Sequence, residues 1–405
     1  MEIHEPVDIE NIIASEKILT FFQPIISIKR RSIIMFEALS RGYGEDENNI
    51  ISPSEVFDAA RRKGLSLECD RVCRKKALER FKECEDLFQN CLMCVNIDTS
   101  ILRSGIVGSG HLINLAESLD IAPSHVVIEI VESSLDEPLL LEEFVNRYRE
   151  YGFLIAIDDL GAGFSNLNRI VGIQPNIIKL DMDLVKGVSE DFYKKETVQA
   201  VIHLAHSTGA LTVGEGVENI KDAVCLMHSG IDMLQGYYFA RPSRAEDIRE
   251  HEVGRKIEEV TNQFKTERIV GYRKKKSTIG IYNHVINSFT EILGFARIEE
   301  FDHTLQTLIH KFPEIECSYI ISEDGIQISE TVSRSQEPCN ILFRPDPKGT
   351  DQSLKDYFFY IKAGQKFFVS NPYISAATGK MCITISTRFL DYYGSSHILC
   401  IDIID

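Results

Sequence analysis

No apolar stretch in these 405 residues reaches the ~18 consecutive positions of a membrane span, because a charge interrupts each one well before that length. Membrane insertion is therefore not expected. The first ten residues also lack the cations and apolar segment of a signal peptide, carrying Glu2, Glu5, Asp8 and Glu10 instead. A cytoplasmic address follows as the expectation. Positive charge is scarce throughout: 44 Lys and Arg stand against 61 Asp and Glu, a formal net charge of −17. That balance disfavours nonspecific binding to nucleic acid, which relies on Lys and Arg to replace counterions. An anionic ligand would have to be met by metal ions or by a local basic group. The ten cysteines lie mostly within apolar segments, and the Cys91/Cys94 pair has no second CxxC nearby, so buried thiols are expected over a metal or redox centre.

What is present is a rhythm. From Leu19 to about Phe239, short apolar runs alternate with amphipathic stretches of helical length, the pattern of a barrel or a doubly wound sheet. The runs are Phe21 to Ile28, Ser32 to Leu39, Leu92 to Ile97, Val126 to Val131, Leu154 to Ile157, Ile177 to Leu180, Ala210 to Val213 and Met233 to Phe239, eight in all. A closed (β/α) barrel needs that number. Only Lys29-Arg30-Arg31 separates the first two, too little for a crossover helix, so these must pair antiparallel. The fold class expected is α/β: a modified (β/α)8 TIM-type barrel with an antiparallel first strand over 1–243, a helical linker over 244–290, and a smaller α+β domain over 291–405. Ser243 can cap the linker helix, whose Val253, Ile257, Val260 and Phe264 recur at four-three-four spacing. That stripe reads equally as a dimer seam or as a face packed on its own barrel. Strands are expected at Ser318 to Ser322, Gly325 to Glu330, Lys366 to Ser370, Cys382 to Thr387 and Ile398 to Ile403.

The chemistry sits at the C-terminal ends of the barrel runs. Glu37, Asn96, Glu129, Glu132, Asp158, Asp159, Lys179, Asp181, Glu215, Glu218 and Gln235 all fall there, and in a barrel those ends converge on one face. A single acid at a strand end is an ordinary loop residue, but this many together repel one another unless a countercharge is present. Hard oxygen ligands of this kind match Mg²⁺ or Mn²⁺, and the tandem Asp158-Asp159 can place one carboxylate between two ions. Two such ions suit in-line attack of hydroxide on a phosphodiester. Lys179 is the cation on these strand ends, placed to orient the water or to stabilise the transition state.

These residues also resemble a known family. Glu37-Ala-Leu39 matches the signature of EAL-domain cyclic diguanylate phosphodiesterases. The match continues in order through Phe22-Gln23-Pro24-Ile25, the Asn96 strand, Glu129-Ile-Val-Glu132, Asp158-Asp159-Leu-Gly-Ala-Gly, Ile178-Lys179-Leu-Asp181, Glu215-Gly-Val-Glu218 and Gln235-Gly-Tyr. The resemblance implies that Glu37, Asn96, Glu129 and Asp158 hold one metal, with Asp158 and Asp159 reaching the second. Glu215 is implied as general base or second-metal ligand, and Lys179 as the catalytic residue that holds the water. Gln23, Leu39, Arg41, Asp181, Glu218 and Gln235 would contact cyclic di-GMP, and Glu132 would anchor the loop after Asp159. Ca²⁺ is expected to bind without supporting attack.

The sequence departs from the family in that loop. Strongly active members read Asp-Asp-Phe-Gly-Thr-Gly-Tyr-Ser-Ser, whereas this chain reads Asp158-Asp159-Leu160-Gly161-Ala162-Gly163-Phe164-Ser165-Asn166. Two readings follow: a phosphodiesterase giving linear pGpG, or a receptor that binds cyclic di-GMP, turns it over poorly and signals through its C-terminal domain. A homodimer is expected from the family habit. The segment from Tyr357 through Tyr373 to Asp402 resembles PAS or Cache-like sensor domains, which implies a regulatory module for an unknown small ligand or partner protein.

Overall fold

The chain reverses at Lys29-Arg30-Arg31, with Arg31 at a φ of 57°, and the flanking strands β1 (Ile18–Ser27) and β2 (Ser32–Tyr43) pair antiparallel from Ile18 opposite Gly42 to Ser27 opposite Ser32. Apart from a two-residue strand, Ile50–Ile51, that pairs antiparallel on the end of β2, six barrel strands follow: β3 (Leu92–Ile97), β4 (Val126–Val131), β5 (Leu154–Leu160), β6 (Ile177–Leu180), β7 (Leu211–Gly214) and β8 (Met233–Leu234). From β2 onward each pairs parallel to the next. β1 then pairs antiparallel with β8 through Ile26 and Leu234 and closes the barrel. In this computed structural model the described residues are 7–97, 110–131, 138–161, 167–334 and 343–404. They divide into two compact units, Met1–Arg268 and Ile269–Asp405.

One barrel run is shorter than the sequence suggests. The run Met233 to Phe239 forms a strand only at Met233 and Leu234. Beyond it the backbone leaves the sheet to bond Val217, which donates to the Gln235 carbonyl at 3.0 Å and accepts from Tyr238 at 2.9 Å. Gly236 permits this, since a Cβ there would lie 2.2 Å from the Val217 carbonyl oxygen. Ser243 is likewise not a helix cap: it exchanges backbone hydrogen bonds with Phe22, and the helix starts later, as Glu250–Leu293. Val253, Ile257 and Val260 on that helix are buried among Val217, Leu234 and Phe239, with Phe264 alongside. Packing on its own barrel is thus the observed use of the stripe.

The second unit is built on one antiparallel sheet. Its strands are β9 (Ile315–Ser322), β10 (Val332–Ser333), β11 (Phe367–Val369), β12 (Tyr373–Ile374), β13 (Met381–Leu390) and β14 (Ser396–Ile404). They run in the order β10-β9-β14-β13-β11, with β12 paired to β13. The run Gly325 to Glu330 is not a strand. It meets its neighbours only through isolated bridges, because Gly325, at a φ of 84°, turns the chain tightly enough for Ser322 to bond the Ile326 carbonyl. Phe289, Leu293, Phe301, Leu305, Ile320, Ile385, Leu399 and Ile401 fill one face of the sheet. No helix among the described residues is long and apolar enough to cross a membrane.

Candidate functional site

The barrel interior is filled at one level by Ile25, Met35, Cys94, Val127, Ala156, Ile177, Val213 and Met233. Side chains two positions apart on a strand share a face. Two residues on from these apolar positions stand Glu37, Asn96, Glu129, Asp158, Lys179, Glu215 and Gln235, and on antiparallel β1 the same step runs backward from Ile25 to Gln23. Each strand therefore contributes one polar side chain to a layer above an apolar floor. Cys94 belongs to that floor as a buried free thiol.

Lys179 organises the polar layer. Its Nζ lies 2.6 Å from Glu215 Oε1, 2.9 Å from Glu129 Oε1, 3.0 Å from Asp158 Oδ1 and 3.6 Å from Glu37 Oε2. Burial disfavours its charge, but Asp158, Glu129, Glu215 and Glu37 overcome that and hold its pKa well above the usual lysine value. The acids are strained in the opposite sense. Burial pushes Glu129 upward, reinforced by Glu37 and Asp158 against the pull of Lys179. Burial likewise carries Glu215 to about 8. Asp159 is pushed up to about 6 by burial and by Asp158 and Asp181. One ammonium leaves this set of carboxylates short of positive charge.

A hard cation fits that shortfall. Glu129 Oε1 and Asp158 Oδ1 are met only by the Lys179 ammonium, and Glu129 Oε2 has no hydrogen-bond partner, an arrangement that is costly for a fully buried acid unless further charge compensates it. Asp158, Asp159 and Glu215 each offer an oxygen within 4.8 Å of the others. Asp159 reaches its place from a left-handed φ of 57°, a conformation uncommon outside glycine and best tolerated by Asp and Asn. Beside them the Asn96 amide donates to Glu37 Oε1 at 3.1 Å, and Gln235 Nε2 donates to Glu37 Oε2 at 2.5 Å and to Gln23 Oε1 at 3.1 Å.

Other expected residues lie at or beyond the edge of this cluster. Leu39 and Arg41 line an adjoining cavity of about 380 Å³ together with Asn96. Asp181 caps a short helix through Asp183 N at 2.7 Å. Glu218 is not brought in: it is exposed and pairs with Lys186 at 2.9 Å. Glu132 and Ala162 to Asn166 lie outside the described residues. Sequence reading missed the far wall of the cavity, formed by Phe57, Arg61, Cys73 and Arg74 on helices Pro53–Lys63 and Ser66–Glu83. Arg74 forms a buried ion pair with Asp70.

Fold and site together define a modified (β/α)8 barrel whose mouth is an acid cluster around one lysine. The chain belongs to the EAL domain family, whose model matches residues 7–242. The uncharacterized EAL-domain containing protein YkuI of Bacillus subtilis is 25% identical over 399 residues, which cover 94% of this chain and 93% of that protein. The crystal structure of YkuI in complex with substrate c-di-GMP and calcium superposes with a TM-score of 0.80 at 23% identity, covering 98% of this chain and 99% of that one. The cyclic di-GMP phosphodiesterase RocR of Pseudomonas aeruginosa is 28% identical over 223 residues, 55% of this chain and 56% of RocR, so this chain spans little more than half of that relative's length. BlrP1 of Klebsiella pneumoniae, in its manganese and cyclic di-GMP complex, matches at 26% identity with a TM-score of 0.51, over 56% of each chain.

Proposed function

We propose that this chain binds cyclic di-GMP at the barrel mouth with divalent cations and hydrolyses it to linear pGpG. The observation that carries the reading is the carboxylate layer that shares the single Lys179 ammonium, with Glu129 Oε2 buried and without a hydrogen bond. RocR, a named phosphodiesterase, and the manganese complex of BlrP1 support it. Glu37, Asn96, Glu129 and Asp158 would hold one Mg²⁺ or Mn²⁺, and Asp158 with Asp159 and Glu215 the other. When bound, such ions polarise a phosphodiester and lower the pKa of water.

The chain's own residues supply the rest. Lys179, fixed among four acids, holds its ammonium where a water or a phosphate oxygen can be oriented. Glu215 stands next to that ammonium as the general base or as a ligand of the second ion. Gln235, which donates to both Gln23 Oε1 and Glu37 Oε2, and Gln23 beside it present amides at the rim. Leu39 and Arg41 offer an apolar contact and a guanidinium in the adjoining cavity, sized for a base, and Asp181 adds an acceptor. The mouth opens at one end only, since the apolar floor closes the barrel beneath it.

The receptor reading is kept alive by the loop, where Leu160 and Ala162 replace residues of the strongly active pattern and Leu160 is buried in the barrel core. Incubating the protein with cyclic di-GMP and Mg²⁺, Mn²⁺ or Ca²⁺, with binding and linear product measured separately, decides between the two. Product with Mg²⁺ or Mn²⁺ supports the enzyme. Binding without product supports the receptor, and absence of binding with every ion overturns both. In either case the second unit, a single sheet with its own cavity, supports a regulatory role, and a homodimer remains part of the proposal.

A further inference from the structure

A cavity of about 640 Å³ opens in the second unit, within the range of small-molecule sites. Its wall carries three carboxylates, Asp346, Asp356 and Asp402, against one base, Lys355. Asp402 on β14 is 3% exposed. Thr384 Oγ1 donates to it at 2.8 Å, Ser375 Oγ at 3.1 Å, Tyr373 Oη at 3.3 Å and Cys317 Sγ at 3.3 Å. All four donors are neutral, and among the described residues no basic side chain stands within ion-pair distance. Asp346 is held by the Gln352 amide at 3.1 Å and also lacks an ion-pair partner among them. A buried carboxylate without a countercharge is costly, and a cationic ligand relieves that cost.

Aromatic rings form the rest of the wall. Tyr360 and Phe368 stack at 4.4 Å with an interplanar angle of 12°. Tyr319 meets Tyr357 edge to face at 6.2 Å, and Tyr373 bridges Thr384 and Asp402. Ring faces beside carboxylates favour an ammonium group over a neutral or anionic one. We propose that this cavity binds a small organic ammonium ion, its charge directed to Asp402 and Asp346 and its carbon skeleton to Tyr360, Tyr357 and Phe368. The site is separate from the barrel mouth and does not depend on the activity proposed there.

The test uses the full chain with putrescine as a primary amine, choline as a quaternary one, and sodium acetate and NaCl at matched ionic strength as controls. Calorimetric titration is expected to show saturable binding of at least one ammonium probe, and none of acetate. The better of the two identifies which head group the site prefers. Asp346→Asn and Tyr360→Leu should weaken that binding roughly tenfold each, the loss expected when a charge or a cation–π contact is removed. Both positions lie away from the Asp402 hydrogen bonds, so these variants carry the test even if Asp402→Asn fails to fold. Because the barrel acids also attract cations, the titration is repeated on Asp158→Asn, where binding is expected to persist. Loss of binding in Asp158→Asn, wild-type affinity in both Asp346→Asn and Tyr360→Leu, or saturable binding of acetate alone each overturns the proposal.

Discussion

The ammonium of Lys179 stands 2.6 Å from a carboxylate oxygen of Glu215, and both side chains come from neighbouring strand ends inside the barrel. That pair ties the lysine of the layer to one of the carboxylates it holds together. Removing the ammonium leaves four acids, three of them buried, facing one another. Lys179→Met is therefore expected to lower the stability of the metal-free protein by ~3–5 kcal/mol, the loss seen when one partner of a buried ion pair is removed. Mn²⁺ should restore part of it. Urea denaturation with and without Mn²⁺ measures both, and equal stability of variant and wild type without metal would refute the compensating role of Lys179.

Glu37 and Asp158 face the same cluster from β2 and β5. Glu37→Ala and Asp158→Ala should each weaken divalent-ion binding by at least the ~10–100-fold that loss of an outer partner costs a metal site. Calorimetric titration with Mn²⁺ reads the change. Unchanged affinity in both variants would remove the proposed metal role of this layer.

Asp222 offers a pH test remote from the mouth. Burial raises its carboxyl, but Ser189, Gly187 and Asn219 donate hydrogen bonds that outweigh burial and hold it below the usual range. A depressed folded pKa stabilises above the unfolded value of ~3.9 and loses that contribution as pH falls through the folded one. Asp222→Asn should cost ~1–3 kcal/mol at pH 6. The gap to wild type should shrink below about pH 4. Denaturant unfolding of both proteins from pH 6 to pH 3 follows it, and a gap that stays constant would contradict the assignment.

Ile257 is 3% exposed within the barrel unit. Ile257→Ala should destabilise the protein by ~2–5 kcal/mol through the cavity it leaves. The oligomeric state at concentrations where the variant is folded should not change. Light scattering that shows a dimer in wild type and a monomer in the variant would return the stripe to the interface.

The site was legible because strand geometry writes it into the sequence. Met35 and Glu37, Cys94 and Asn96, Val127 and Glu129, Ala156 and Asp158 each follow the same step of two, apolar below and polar above. The early antiparallel pairing was legible too, since three residues cannot cross a sheet. Glu218 stands apart from the acid layer because motif adjacency to Glu215 says nothing of direction: Gly216, at a φ of 61°, turns the backbone and leaves Glu218 facing Lys186. Phe57, Arg61 and Arg74 escaped notice because amphipathic helices all look alike until packing shows which face borders a cavity. The Val253 to Phe264 stripe had no signal in sequence to separate one apolar neighbour from another, and only the contacts with Val217 and Phe239 decide it.

The apolar layer beneath the site has a kinetic meaning. Ile25, Met35, Val127, Ile177 and Met233 seal the barrel from below, so it has an entrance and no rear exit. Whatever leaves the acid cluster must pass outward through the opening that the next molecule needs. Departure and arrival then compete for one doorway, and under the proposed activity a linear dinucleotide that lingers there would exclude the cyclic one. Under the proposed activity, inhibition by product should be competitive with substrate, and anything that narrows the mouth should slow binding and release together.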